Sequence, residues 1–96
     1  MMYLLLADVE VYLHGVINLK QKRMVLKSYK DHMKKRHDLI IREERFLDKW
    51  QHTGLVMATL ADNKDFLLKT FKDAVDFLLA HYDVDIIEEN CEIAEI

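Results

Sequence analysis

Ninety-six residues, 51% of them hydrophobic and 32% charged, are enough for one domain with a packed core and too few for two. This balance excludes a disordered chain, and a single cysteine, Cys91, excludes an internal disulfide or a cysteine-built zinc site. With no proline and only two glycines, Gly15 and Gly54, little forces a helix to stop, so few and long helices are expected.

In the first segment Met2, Leu5, Leu6, Val9, Tyr12, Leu13 and Val16 recur at steps of three and four, as on one face of a helix. A strand through Val9, Val11 and Leu13 would leave the run from Leu4 to Leu6 without alternation, and the helix is preferred. Asp8, Glu10 and His14 interrupt the stretch, which is far from the run of about 20 apolar residues that spans a bilayer. The absence of a basic leader and of a spanning segment predicts an intracellular, cytoplasmic protein.

From Asn18 to Gln51 no glycine or proline intervenes, and Met24, Leu26, Tyr29, Met33, Ile40, Leu47 and Trp50 supply an apolar side, predicting a second, long helix. A seven-residue spacing runs through Leu5, Tyr12, Leu19, Leu26, Met33, Ile40 and Leu47. Its companion seam passes through Arg23, Lys30, His37 and Glu44, which disfavours a coiled coil. Thr53 and Gly54 read as a break before the short apolar stretch Leu55 to Leu60. Asp62 or Asn63 can then cap a third helix carrying Leu67, Leu68, Phe71, Ala74, Val75, Leu78, Leu79 and Tyr82 on its apolar face. After Asp83 acids alternate with Val84, Ile86, Ile87, Ile93 and Ile96, as in a strand-like arm or a last helical turn.

These elements predict an all-α fold: one helical domain over 1–96, a three- to four-helix bundle or long helical hairpin, with 83–96 as an acidic tail. A helix of roughly 30 residues would extend about 45 Å and outreach its partners, so homodimerisation is expected to complete the core.

The net charge of −3 conceals strong segregation. Lys20, Lys22, Arg23, Lys27, Lys30, Lys34, Lys35 and Arg36 face one acid, Asp31, for a local +7, whereas eight acids and no base follow from Asp73 to Ile96. The basic segment could bind a polyanion, either nucleic acid or an anionic membrane. The plainer reading is a solvated face, neutralised by the acidic tail or by a partner.

Candidate chemistry is sparse. Glu10 with His14 and Asp48 with His52 have helical ligand spacing, but two ligands do not make a zinc site, and no metal or other cofactor is expected. Cys91 sits among acids that disfavour its thiolate, so no nucleophilic centre is expected. Arg45 and His52, separated by six residues, resemble the Arg-spacer-His pattern of a helical ribonuclease superfamily of toxin systems, which implies a third, nuclease reading. Val84-Asp85-Ile86-Ile87-Glu88-Glu89 resembles a SUMO-interacting motif. That resemblance implies strand addition to a partner's sheet, with Val84, Ile86 and Ile87 buried and Glu88 and Glu89 meeting bases. Asp31-His32-Met33 through Glu43-Glu44, Phe46 to Leu55, and Ala61-Asp62-Asn63-Lys64-Asp65-Phe66 through Phe77-Leu78-Leu79 are similar to the helical repeat of cullin scaffolds, which implies a scaffold role. The function expected from sequence is therefore a non-catalytic protein-protein interaction module, an adaptor, scaffold or regulatory subunit. Its partner surface would be Val84, Ile86, Ile87, Glu88 and Glu89, and polyanion binding through 20–36 is the alternative.

Overall fold

The structure, a computed structural model, describes residues 1–96. In chain order it contains β1 (Tyr3–Leu13), α1 (Leu19–His37), β2 (Ile40–Arg45), β3 (His52–Ala61), α2 (Lys64–His81) and β4 (Val84–Glu95). The four strands form one antiparallel sheet in the order β2-β3-β1-β4. This is the split βαβ, or ferredoxin-like, arrangement, with both helices on one face of the sheet. It overturns the expected all-α bundle and hairpin: of the three long helices anticipated, the first is β1 and the second gives way after His37 to β2 and the loop that follows it, while the short stretch Leu55 to Leu60 belongs to β3.

The reason lies in β1. Leu5, Ala7, Val9, Val11 and Leu13 are buried in strict alternation beneath the helices. Leu5, Val9 and Leu13 also fall four residues apart, so one apolar set satisfies both periods. Leu4 and Leu6 point to the opposite face, and Leu6 is 47% exposed. That second apolar row masked the alternation.

Asn18 caps α1, its side chain accepting from Gln21 N at 2.8 Å. The helix ends without glycine: Asp38 adopts a left-handed conformation (φ 53°) and its amide donates to Lys34 O, closing the last turn. Lys34, Lys35, Arg36 and His37 lie at the negative end of the helix dipole, where cations are favoured. Asn63 caps α2 by accepting from Phe66 N, so the predicted start of that helix stands.

One core joins the layers. Leu26, Tyr29 and Met33 of α1 and Leu67, Ala74 and Leu78 of α2 pack onto Leu5, Val9, Val11, Leu13, Ile41, Leu55 and Met57 of the sheet. The fully buried Tyr29 donates its hydroxyl to Ala74 O at 2.8 Å, tying helix to helix, and burial pushes its pKa well above the usual phenol range. The residues expected to form an acidic tail are β4, paired with β1 along its whole length except at a bulge that leaves Ile87 without a cross-strand partner. Neither helix is long and apolar enough to cross a membrane.

Candidate nucleic-acid interface

The eight bases of 20–36 separate into distinct roles once α1 is placed. Lys22 is turned inward and is 1% exposed. Its ammonium lies 2.6 Å from Glu43 Oε2 and donates to Phe46 O at 2.7 Å and to Lys49 O, so all three of its protons are used. Glu43 in turn accepts from the buried Thr53 hydroxyl at 2.7 Å. Arg36 faces α2, where its guanidinium and the His37 ring both bond Asp73. The hydrogen bonds from Arg36, the larger contribution, and from His37 hold the Asp73 carboxyl down at about 2.

Of the six that remain, Lys20, Arg23, Lys27, Lys30 and Lys34 are spaced three, four, three and four residues apart and so form one stripe along the helix, with Lys35 exposed to one side of it. Tyr29, His32, Arg36 and His37 of α1 meet α2, Ser28 bonds Tyr82 just past its end, and the stripe lies on the other flank. There a hollow of about 340 Å³, lined by Arg23, Leu26, Lys27, Lys30, Asp31 and Glu43, separates it from edge strand β2. Lys27 pairs with Asp31 at 2.8 Å within the helix, and that bond holds the Asp31 carboxyl below its usual range. Lys20, Arg23, Lys30 and Lys34 form no ion pair.

The expectation that the acidic C-terminal segment covers these bases is not met. Strand β4 lies at the opposite edge of the sheet, with β1 and β3 between it and β2. No ion pair joins α1 to β4, and the only bonded carboxylate of β4 is Asp85, 2.7 Å from His14. The charge segregation of the sequence is thus carried into space, basic along one flank and acidic along the far edge.

At the N-terminal end of the stripe sits the β2–β3 loop, gripped by Lys22 through two backbone carbonyls. Phe46, at φ 61°, stacks on His52 with ring centroids 3.7 Å apart. His52 Nε2 lies 2.8 Å from Glu10 Oε2. Trp50, the only tryptophan, is 48% exposed and shares with Tyr12, Phe46, Lys49 and His52 a hollow of about 430 Å³. Sequence reasoning missed both the inward turn of Lys22 and this loop, since a buried lysine carries no local signature.

The remaining candidates are dispersed. Arg45 is on β2 and His52 opens β3, so they do not share the helix face that the ribonuclease pattern presupposes. Arg45 instead bonds both Asp8 oxygens, at 2.7 and 2.8 Å, which lowers the Asp8 pKa. To reach Asp8 it crosses β3 over Gly54, where a Cβ would lie 2.7 Å from Arg45 Nε. In β4, Val84 is buried, Ile86 packs against the core, and Ile87, Glu88 and Glu89 are exposed. That segment already serves as a strand of its own sheet, and only its outer edge is unpaired.

Residues 4–91 match the family described as "Protein of unknown function (DUF503)". The chain belongs to that family. No curated protein matches the DUF503 chain in sequence. Among solved structures it resembles the de novo designed protein Foldit4, with TM-score 0.56 and 9% identity over 100% of this chain and 99% of the other. It also resembles the structural-genomics protein YJCS, with TM-score 0.56 and 5% identity over 97% and 98%. The designed Ferredog-Diesel follows with TM-score 0.50 and 7% identity, over 96% and 84%. At such identities the likeness concerns the fold alone.

Proposed function

We propose that this protein binds the phosphate backbone of nucleic acid along the outer flank of α1. The observation that carries this reading is the stripe Lys20, Arg23, Lys27, Lys30 and Lys34, facing solvent at the sheet edge farthest from the acidic strand. Fourteen residues of helix rise about 21 Å, a length that matches several consecutive phosphates. Four of the five cations have no internal partner to surrender, so binding a polyanion breaks no salt bridge of the fold except Lys27–Asp31. An anionic membrane is less well served. The apolar face of α1 is spent on the core through Leu26, Tyr29 and Met33, and the exposed Met24 is the one large apolar side chain of the helix left beside the lysines.

No group within the stripe reads base edges, so binding is expected to be tolerant of sequence. The test is a salt series of affinities for single-stranded and duplex oligonucleotides, with anionic vesicles as a third arm. Four or five phosphate contacts give a slope of log K against log salt of roughly −3 to −4. Replacing Arg23, Lys30 and Lys34 together by Gln should reduce the magnitude of the slope by roughly 2 to 3, with the fold intact because all three side chains lie outside the core. An unchanged slope in that triple variant would refute the proposal, as would binding of vesicles without binding of either oligonucleotide.

A further inference from the structure

The sheet face turned away from the helices has no cover, and its side chains follow an ordered plan. The cross-strand register places Leu60, Leu4 and Ala94 in one row and Ile40, Ala58, Leu6 and Glu92 in the next, the last two rows before charge takes over. Arg42, Val56, Asp8 and Asn90 come third, Arg45, Gly54, Glu10 and Glu88 fourth, and His52, Tyr12 and Asp85 last. Leu6, Ile40 and Leu60 are 47%, 55% and 55% exposed. Along the strands the face therefore runs from aliphatic to charged. Across them it runs from Arg42 and Arg45 on β2, where Glu44 pairs with Arg45, to acids alone on β4.

We infer that this face is closed by a second copy of the same chain, packed sheet to sheet about a twofold axis parallel to the strands. That axis keeps each row opposite itself and exchanges the two edges, so β2 of one copy lies over β4 of the other. The row of Leu60, Leu4 and Ala94 then meets its counterpart, with Leu4 against Leu60, and in the next row Leu6 lies against Ala58 and Ile40 against the stem of Glu92 of the second copy. Arg42, whose guanidinium bonds only its neighbour's carbonyl, Ile41 O, comes within a row of Glu88 and Glu92 of that copy. Glu10, already paired with His52, faces the second copy's Gly54, which brings no side chain of its own to that point. A twofold axis across the strands fails on the same residues, because it sets β2 on β2 and Arg42 against Arg42.

Size is consistent with this occupant. Four strands about 4.8 Å apart and ten residues at about 3.4 Å give a face of roughly 19 by 34 Å, or about 650 Å² in projection. Side-chain relief brings this close to the roughly 800 Å² per partner of a standard stable interface. Sandwiched sheets of natural proteins pack in this aligned manner, about 10 Å apart. Both basic stripes stay outside in the helical layers, so the inference is independent of the nucleic-acid reading.

The experiment is sedimentation equilibrium on the full chain from micromolar to millimolar concentration, with far-UV circular dichroism to verify folding of each variant. The wild type is expected to dimerise, and Leu6→Asp and Leu60→Asp to weaken the dimer by about a hundredfold each, since each sets carboxylates against a dry apolar row twice per dimer. Arg42→Glu should weaken association by about tenfold and adding Glu92→Arg should restore it, a rescue that the other axis does not produce. A wild type that stays monomeric at millimolar concentration overturns the inference. A dimer indifferent to Leu6→Asp and Leu60→Asp, or one not rescued by the charge exchange, does the same.

Discussion

Replacing Lys22 by Met would remove the ammonium that holds the β2–β3 loop while keeping the length and most of the apolar contact of its stem. Left behind are the Glu43 carboxylate, with only Thr53 Oγ1 still bonded to it, and the carbonyl oxygen of Lys49 without its ammonium donor. Breaking one side of a buried ion pair costs roughly 3 to 5 kcal/mol. Because the Glu43 side chain retains 17% exposure, water relieves part of that loss, and about 3 kcal/mol is the expected destabilisation. For a chain of this size that corresponds to a fall in Tm of roughly 12 to 24 °C. Urea unfolding followed by far-UV circular dichroism measures the loss, provided the slope of the transition is unchanged. Emission from Trp50 reports the loop separately, and it should shift red before the global transition. The double variant Lys22→Met/Glu43→Leu should lose less than the sum of its two single changes, by roughly 1 to 3 kcal/mol, since it no longer buries an unpaired charge. If Lys22→Met unfolds within about 0.5 kcal/mol of the wild type, the range of an ordinary surface change, the clamp has been misread.

Gly54→Ala places a methyl group 2.7 to 2.9 Å from Arg45 Nε, Nη2 and Cβ, so either the guanidinium leaves Asp8 or β2 shifts. A loss of roughly 1 to 3 kcal/mol is expected in urea denaturation, and the Arg45→Ala background should remove the part owed to the guanidinium while the contact with Cβ at 2.9 Å persists. The Asp73 contacts predict an acid limb of stability. A carboxyl held at about 2 in the folded chain stabilises it fully above the ordinary Asp value of about 3.9, and that contribution disappears as pH falls through about 2. Thermal unfolding from pH 5 to pH 2 should show Asp73→Asn with a lower Tm at pH 5 and a shallower decline than the wild type.

Particular residues explain what the sequence disclosed and what it hid. Asn63 announced α2 because capping acts over three residues and is written locally. The end of α1 was silent, because Asp38 occupies a left-handed conformation usually given to glycine. Strand β2 reads Ile-Ile-Arg-Glu-Glu-Arg, a charged edge strand with little β propensity, and its placement depends on β3, which follows it. Gly54 was taken for a break and is instead a mid-strand gap that admits Arg45, a purpose visible only across three strands. The basic segment was recognised, yet its sorting into clamp, interhelix pair and outer stripe required knowing which side of α1 faces the sheet.

The way Lys22 holds its loop bears on how this surface can change. The ammonium grips main-chain oxygens, which every amino acid supplies, so the side chains at Leu47, Asp48, Lys49 and Trp50 are left out of the contract that keeps the loop in shape. Diversification there is therefore cheap in stability, and the loop is a natural place for family members to acquire different recognition chemistry on one unchanged frame, or for an engineer to graft a foreign segment.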